Sequence, residues 1–517
     1  MKITRSVLLT LVLALVAAVA AGCGSSSSGG GGSSDPAAAV PATTPVYLEA
    51  NVHPDGKLGD DVTAVLKKVL RTDDPAAKLK GLIDQSAKDH GVTYDKDIAP
   101  WLGDRVGVAV TSFAGRNPAF VAVAGSKDDA KARAALTKGR KVVKRSYKGV
   151  DYSYDAKDQS ASAAFGGRAF AGTESGIRAA IDATKGQSLA EANGLRAARE
   201  KVASERAAFA YVDVQGMLRL LQQAAGGRDP QIAAAVQAFG GALPKTIAAA
   251  LEADPDLIRL DAVSIGTPKS ASSGKSGADA VGQLPGDAFA AAGFADLGAA
   301  FERSLEQIGG SGLGGVGIEA LMRQFRQQTG LDLRQDLLSW MGDAGIYVSG
   351  DTVADLHGAL VVKSTDPART RKAIGALQRL ARTMAKNEKV STLSGPGVDR
   401  GFSIKGAGSP RIDVVLAGDK FVVAVGGAKA LQDAIKPASP LSSAPAFTAA
   451  AGKLGDGIKP AFFLDTAKLT ALVGSKAGSD PDFAKAKPYL DTFAALVAGA
   501  KDEGEGVTRA RFAITLK

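Results

Sequence analysis

The chain has 517 residues, and 63 lysines and arginines against 53 aspartates and glutamates give it a formal net charge of +10. Aromatic residues make up only 5% of it, and Cys23 is its only cysteine. A single cysteine excludes an internal disulfide framework, and the length accommodates more than one domain of roughly 100–200 residues. The scarcity of aromatic side chains disfavours nucleic acid as a partner, because base stacking needs them.

Residues 1–22 predict a secretory signal peptide. Lys2 and Arg5 form a short basic start, and an apolar run then extends from Val7 to Ala21. The run is shorter than the roughly 20 apolar residues that a transmembrane helix needs. It ends in Val19-Ala-Ala-Gly-Cys23, which resembles a bacterial lipobox. The resemblance implies that Cys23 carries a diacylglycerol thioether and becomes the mature N-terminus.

Residues 23–40 follow as a predicted tether, because a tract of glycine and serine has nothing to bury and behaves as a random coil. These segments together predict an extracytoplasmic protein that is anchored to the cell membrane as a lipoprotein. The membrane is therefore its first expected partner, and no protein partner is identifiable.

The body that follows contains the same motif twice. Asp97-Ile-Ala-Pro-Trp101-Leu-Gly103-Asp104 recurs as Asp336-Leu-Leu-Ser-Trp340-Met-Gly342-Asp343, and these are the only two tryptophans. Other landmarks recur in the same order, among them the closing strands 257–265 and 507–515. We interpret this as a domain duplication, with repeats at 41–266 and 284–517 and a polar linker at 267–283.

Short strand-like runs follow one another directly and are mixed with helical stretches. In the first repeat, strands are predicted near 45–52, 105–113 and 119–123, and helices near 61–70, 77–88 and after Ser126, the expected N-cap. This pattern favours largely antiparallel sheets over a doubly wound parallel sheet. The expected fold is therefore α+β, in two tandem domains of like fold.

The repeated motif is typical of a capped junction between a helix and a strand. Asp97 and its counterpart would cap a short helix, the tryptophan would anchor it, and Gly103 would supply a left-handed residue that ends it. Asp104 would begin the turn into the next strand. The paired aspartates leave a second interpretation open, in which they act as a general acid and base.

Motifs for metals and cofactors are not convincing in this sequence. His53, His90 and His357 share no spacing, and with the one cysteine assigned to lipid no zinc site is expected. The string Gly310-Ser-Gly-Leu-Gly-Gly315 joins two helical stretches rather than a strand and a helix, so it does not predict a dinucleotide site. We expect neither a cofactor nor a metal.

Basic residues are concentrated at matching places in the two repeats. The second repeat has an apolar stripe of Ile374, Leu377, Leu380 and Met384, which we expect to be buried with the basic residues facing solvent. Such clusters attract anionic lipid or a wall polymer, although solvated helix faces have the same composition. The candidate anion-binding residues are Lys131, Arg133, Arg140, Lys141, Lys144, Arg145, Lys372, Arg379 and Lys386.

The segments Val40–Glu49, Lys68–Pro75 and Ala99–Arg105 resemble a family of exported actinobacterial proteins known only as domain of unknown function thirty-three fifty-two. The resemblance extends over most of the chain. It implies an envelope location and a bacterial origin, and it brings neither an activity nor site residues.

Three functions remain open at this stage. The first is a non-catalytic envelope protein whose duplicated body binds a partner or ligand. The second is an enzyme with a carboxylate site between the repeats, whose acids should then have raised pKa values. The third is a carrier that holds an apolar or lipid ligand between sheet and helices.

Overall fold

The computed structural model describes residues 35–114, 117–224, 241, 243–268, 276–310, 318–385 and 388–517. They form two compact units. Unit 1 comprises the described residues up to 224 together with 243–267, and unit 2 comprises those from 268 to 515. Both combine helices with antiparallel strands, so the chain has the α+β fold that the sequence predicts. The predicted signal peptide and Cys23 lie outside the described residues.

Unit 1 contains an antiparallel sheet in which the strand order differs from the chain order. Its strands are β1 (Val46–Asn51), β2 (Leu102–Ala114), β3 (Asn117–Ser126), β4 (Val142–Tyr147), β5 (Val150–Asp155), β6 (Ser160–Phe165), β7 (Arg168–Gly172), β8 (Ala208–Asp213), β9 (Thr246–Asp254) and β10 (Leu257–Ile265). Neighbouring strands follow the order β10-β9-β8-β1-β2-β3-β7-β6-β5-β4.

Helices lie on both faces of this sheet. They are α1 (Gly56–Leu70), α2 (Pro75–Ala87), α3 (Asp129–Thr137), α4 (Glu174–Lys185), α5 (Asn193–Lys201) and α6 (Val214–Ala224). Alternate residues of a strand point to opposite faces. Glu49 of β1 therefore meets Arg199 of α5 on one face. On the other face, Trp101, Ala132 of α3 and Ala169 of β7 share one core.

Unit 2 repeats the strand order of unit 1. Its strands are β11 (Ala290–Phe294), β12 (Met341–Ser349), β13 (His357–Ser364), β14 (Lys389–Gly395), β15 (Val398–Lys405), β16 (Ile412–Ala417), β17 (Lys420–Val425), β18 (Pro460–Asp465), β19 (Phe493–Gly504) and β20 (Val507–Leu516). They are ordered β20-β19-β18-β11-β12-β13-β17-β16-β15-β14. Each strand of unit 1 thus has one counterpart at the same place in unit 2.

The helices of unit 2 are α7 (Ala278–Gly282), α8 (Leu297–Gly310), α9 (Ile318–Thr329), α10 (Pro367–Met384), α11 (Ala428–Ile435), α12 (Pro445–Gly452), α13 (Thr466–Ala477) and α14 (Pro481–Leu490). The longest, α10, covers the centre of the core. Its Ala373 and Ile374 pack in one cluster with Trp340, Val362 and Phe421. Among the described residues, no helix is both long and apolar enough to cross a membrane.

Aspartate side chains define where several helices begin. Asp128 accepts hydrogen bonds from the backbone of Ala130 and Lys131 at the start of α3, and Asp366 accepts one from Arg369 at the start of α10. A side-chain oxygen in this position satisfies backbone N–H groups that have no partner within the helix. The prediction that Ser126 caps α3 is wrong, because Ser126 is still the last residue of strand β3.

Two predicted connecting segments are shorter than the sequence suggests. Pro36–Ala39, placed in the tether, forms a short helical turn in which Ala37 and Ala39 are fully buried, and Asp35 beside it pairs with Arg199. The predicted tether therefore ends earlier, because the small apolar residues of this segment belong to the core. Similarly, α7 lies within the predicted linker, yet its Val281 is fully buried.

Candidate functional site

The two tryptophans occupy matching junctions in the two units. Trp101 Nε1 donates a hydrogen bond to the backbone oxygen of Asp97 at 2.6 Å, and Trp340 Nε1 donates to that of Asp336 at 2.8 Å. Each aspartate carboxylate accepts from the backbone N–H four residues earlier, at 2.8 Å and 2.7 Å. The same hydrogen bonds thus position both indole rings against the core of their own unit.

Gly103 and Gly342 do not have the role that the sequence suggests. The prediction that they end a helix in the left-handed conformation is wrong, because neither has a positive φ and both lie within strands. A Cβ at Gly103 would lie 3.0 Å from the backbone of Gly125, and one at Gly342 would lie 2.9 Å from the oxygen of Lys363. Glycine is needed there because the neighbouring strand approaches closely.

Asp104 and Asp343 also lie inside strands β2 and β12, and not in turns as predicted. Asp104 is 3.7 Å from His53 and 3.9 Å from Lys127. Asp343 accepts a hydrogen bond from the backbone N–H of Asp296 at 2.9 Å. Each carboxylate is therefore engaged by neighbours in its own unit.

The electrostatics of Asp97 do not match those of a general acid. Lys138 donates a hydrogen bond to it at 2.6 Å. This bond, with the backbone N–H of Thr93, lowers the pKa of the Asp97 carboxyl below its usual value. The enzyme interpretation requires a raised pKa at these acids, so the shift at Asp97 has the opposite direction.

An apolar cavity of about 210 Å³ lies beside Trp101 in unit 1. It is bounded by strands β2, β3 and β7 on one side, and by Ile83, Ile98 and Leu136 on the other. Its lining consists of Ile83, Tyr94, Ile98, Trp101, Leu102, Val106, Gly107, Val108, Ala122, Val123, Ala124, Leu136, Ala169, Phe170 and Ala171. No charged side chain is among them, so the cavity selects for apolar groups.

The strand register explains where this space comes from. Ala124 of β3 is paired with Ala169 of β7, and both line the cavity. At the same places in unit 2, Val362 of β13 is paired with Phe421 of β17. The Phe421 ring packs edge-on against Trp340 with centroids 5.1 Å apart. In unit 1 an alanine methyl group stands where that ring would be.

The neighbouring pair of side chains on this sheet face is also smaller in unit 1 than in unit 2. Ala122 is paired with Ala171 in unit 1, whereas Leu360 is paired with Val423 in unit 2. All four small residues of unit 1 are alanine, and all four counterparts are larger. Unit 1 thus lacks the side-chain volume that fills the core of unit 2.

The covering helix is also shorter in unit 1. Helix α3 has nine residues and α10 has 18, which corresponds to roughly 14 Å and 27 Å at 1.5 Å per residue. Of its side chains α3 buries only Ala132, while α10 buries Ala373 and Ile374 and lays Leu377 against the same cluster. The shorter helix leaves the sheet face beside the cavity less covered.

A strip of apolar side chains leads away from the cavity along this face. Leu48 of β1, which is 37% exposed, is paired with Val108 of the cavity lining. The strip crosses seven strands and consists of Ala262, Ala249, Ala210, Leu48, Val108, Ala122 and Ala171. All seven are half-buried or exposed. This part of the sheet face is therefore apolar and partly exposed.

Most predicted anion-binding residues of unit 1 already have partners. Arg140 lies 3.3 Å from Asp158, and Arg145 lies 2.7 Å from Glu174. Lys131 pairs with Asp128 of its own helix, and Arg133 donates to a backbone oxygen. Asp158 and Glu174 come from later elements of the chain, so the run of basic residues did not reveal these two partners. Lys141 and Lys144 are exposed.

The basic residues of unit 2 form a different surface. Lys372 and Arg379 are exposed on α10, with Arg371 and Arg382 beside them, and none of the four has an ion pair with a described acid. Gly375 lies between them, and a Cβ there would be 3.0 Å from the guanidinium of Arg400. A fifth cation from β15 thus lies across the helix, and sequence reasoning missed it. Lys386 lies outside the described residues.

The predicted apolar stripe of α10 is only partly buried. Ile374 is fully buried and Leu377 packs against the cluster, but Met384 is 73% exposed. The prediction for Met384 is wrong, because the helix extends beyond the sheet that buries its first three turns.

The chain thus has an α+β fold in two units with the same strand order, and unit 1 has an apolar cavity beside Trp101. The family described as "Protein of unknown function (DUF3352)" matches residues 4–516, and the chain belongs to that family. This identification agrees with the resemblance found in the sequence.

No curated protein matches the chain. Two solved structures share some similarity with it. "Structure of crystal form III of TP0453" has a TM-score of 0.27 and 12% identity, and the match covers 46% of this chain and 83% of that one. "Structure of crystal form I of TP0453" has a TM-score of 0.25 and 13% identity, with 46% and 81% covered.

Proposed function

We propose that this protein is a non-catalytic lipoprotein of the cell envelope that binds an apolar, lipid-like ligand in unit 1. The observation that carries the proposal is the 210 Å³ cavity beside Trp101 and its wholly uncharged lining. The expected membrane anchor at Cys23 supports it, because an anchored protein works where lipids are abundant. The anchor itself rests on the sequence of residues 1–23.

The size of the cavity limits what it holds. An engineered apolar cavity of about 150 Å³ binds benzene, and pockets for drug-sized ligands span about 300–1,000 Å³. A space of 210 Å³ therefore suits one ring or a segment of one acyl chain. The rest of a longer ligand would lie along the strip that passes Val108 and Leu48, since that strip is apolar and partly exposed.

The expected affinity is moderate. Each buried methylene contributes about 0.8 kcal/mol, and association costs at least about 4 kcal/mol in lost translational and rotational freedom. A chain of about 15 buried methylenes contributes about 12 kcal/mol, of which at most about 8 kcal/mol remains after this cost, so its dissociation constant is no tighter than about 1 μM. Such a ligand exchanges readily, as a carrier requires.

Filling the cavity tests the proposal. Ala169→Phe places in unit 1 the side chain that Phe421 provides in unit 2, and Ala498→Phe is a control on a half-buried strand alanine of unit 2. The uncharged fluorescent probe N-phenyl-1-naphthylamine should bind the unmodified chain and the control equally. It should bind Ala169→Phe at least about tenfold more weakly, equivalent to about 1.4 kcal/mol. Equal binding by all three proteins would remove the cavity as the site.

We also infer that the two units arose by internal duplication. Their strand orders agree at all ten places, and the tryptophan hydrogen bond occurs in both. We propose that the two units then diverged in function. Unit 2 fills its core with Phe421 and Leu360, whereas unit 1 keeps alanine at those places and gains a binding space.

A second candidate function is favoured by α10. Four of its cations, Arg371, Lys372, Arg379 and Arg382, have no ion pair with a described acid, and Arg400 adds a further charge over Gly375. Cations near an anionic membrane surface contribute about 1 kcal/mol each. We therefore propose that unit 2 contacts an anionic lipid surface, with a wall polymer as the alternative that vesicle binding would exclude.

A further inference from the structure

A buried histidine in unit 2 lies among charged groups that the proposed function does not use. His357 begins β13, and its side chain is only 5% exposed. Its Nε2 lies 3.2 Å from Asp433 of α11. Asp287, in the segment before β11, completes a group in which one ligand atom from each residue lies within 4.8 Å of the others.

Hydrogen bonds orient this ring. His357 Nδ1 lies 2.8 Å from the backbone oxygen of Asp355, and a carbonyl oxygen only accepts, so Nδ1 carries the hydrogen. The other ring nitrogen, Nε2, then faces the carboxylate of Asp433. An imidazole nitrogen and a carboxylate oxygen 3.2 Å apart can share a cation that lies beside both.

In the structure that cation is the ammonium group of Lys429. It donates to Asp433, lies 3.4 Å from His357 Nε2 and lies 3.6 Å from Asp287. The Lys429 side chain is 63% exposed, so it can leave this position without opening the core. Its nitrogen marks the place that a bound cation would share with all three ligands.

We propose that His357, Asp433 and Asp287 bind a divalent transition-metal ion, zinc being the best match, and that Lys429 swings away when the metal binds. One imidazole and two carboxylates are ligands that zinc accepts, at about 2.0–2.2 Å, with water in the fourth position. The hydrogen bond from Nδ1 to Asp355 fixes the ring in the orientation that metal-bound histidines usually have. Asp287 is half exposed and precedes β11, so it can close on the ion.

The site belongs to unit 2 alone. The strand that corresponds to β13 is β3, where Ala119 precedes Phe120, and the helix that corresponds to α11 is α4, whose buried face includes Ile177 and Ile181. Ala119 and Ile181 occupy the places of His357 and Asp433 in unit 1, and neither side chain has a ligand atom. The proposal therefore predicts one metal ion per chain.

Metal titration of the full chain in detergent tests this proposal. The background is Cys23→Ser, which removes the only thiol, and the probes are Zn²⁺ by calorimetry and Co²⁺ by its visible absorption. One ion should bind, and His357→Ala should weaken binding at least about tenfold. The control His53→Ala, in unit 1, should leave it unchanged.

Lys429→Met tests the proposal while the buried His357 stays in place, so a folding defect at His357 cannot explain the result. Because Lys429 competes with the metal for Asp433, its removal should tighten binding, and an exposed side chain can be replaced without unfolding the unit. Equal affinity in the Cys23→Ser protein and in its His357→Ala variant overturns the proposal. Weaker or unchanged binding in Lys429→Met also overturns it.

Discussion

Phe421→Ala should open in the filled core of unit 2 part of the space that unit 1 has beside Trp101. Phe421 is 5% exposed and packs edge-on against Trp340 at 5.1 Å. Removing a buried phenylalanine ring costs about 3–5 kcal/mol, which includes the aromatic contact. For a unit of roughly 200 residues this corresponds to a fall in melting temperature of roughly 6–20 °C. In return, the new cavity should bind an apolar probe.

The two tryptophans allow this to be measured one unit at a time. Trp101 reports on unit 1 and Trp340 on unit 2, so Trp101→Phe leaves fluorescence from unit 2 only. In that background, thermal unfolding with and without Phe421→Ala gives the shift directly. In that background benzene, a one-ring probe, should raise the melting temperature of the Phe421→Ala protein and leave that of the protein with Phe421 unchanged. A loss of less than about 1 kcal/mol in the free energy of unfolding, with no new probe binding, would refute the comparison of the two cores. Removing a tightly packed ring destabilises a protein by more than that.

Three further predictions concern the membrane anchor, the basic surface of α10 and the unfolding of unit 1 in acid. Cys23→Ser should release the protein from membranes in cell fractionation, because no other lipid attachment is expected. Replacing Arg379 and Arg400 together by glutamate should weaken binding to phosphatidylglycerol vesicles, and binding should fall with salt because exposed charges are screened beyond about 10 Å at 0.1 M. Lys138→Met should move the acid unfolding of unit 1 to higher pH. The lowered pKa of Asp97 stabilises the fold above the usual pKa of about 3.9, and this contribution is lost as the pH falls through the lowered value. Without Lys138 the pKa of Asp97 is lowered less, so the contribution is lost at a higher pH.

Each of these has a clear contrary result. Membrane retention of a correctly cleaved Cys23→Ser protein would show that another surface holds it. If vesicle binding depends neither on salt nor on the two arginine substitutions, α10 is an ordinary solvated helix and not a lipid-binding surface. An unchanged acid midpoint in Lys138→Met would show that the Asp97 pair contributes nothing to the stability of unit 1.

Local signals in the sequence predicted a substantial part of the fold. The motif around Trp101 and Trp340 was found because tryptophan is rare and its neighbours recur. Alternating apolar residues predicted β1, β2 and β3 to within a few residues. Antiparallel α+β architecture followed from strands that succeed one another directly.

The cavity could not be predicted, because it depends on register. Ala124 and Ala169 lie far apart in sequence, and only strand pairing places both beside Trp101. Read along the chain, they are ordinary small strand residues. The same holds for Arg400, whose position over Gly375 arises from the packing of β15 against α10.

The histidine group of unit 2 was missed for a related reason. Metal-ligand patterns are recognised from short spacings, whereas His357 and Asp433 come from a strand and a later helix, and Asp287 precedes both. The partner of Nδ1, the backbone oxygen of Asp355, carries no sequence signal at all.

Lipid analysis of the protein from its native membranes tests the central claim most directly. The unmodified chain and Ala169→Phe are purified in parallel, extracted with organic solvent and compared by mass spectrometry. The proposed function predicts a co-purifying apolar ligand at up to about one molecule per chain in the unmodified protein, and a loss of most of it in Ala169→Phe. Equal amounts in both proteins, or no ligand in either, would contradict binding in the cavity of unit 1.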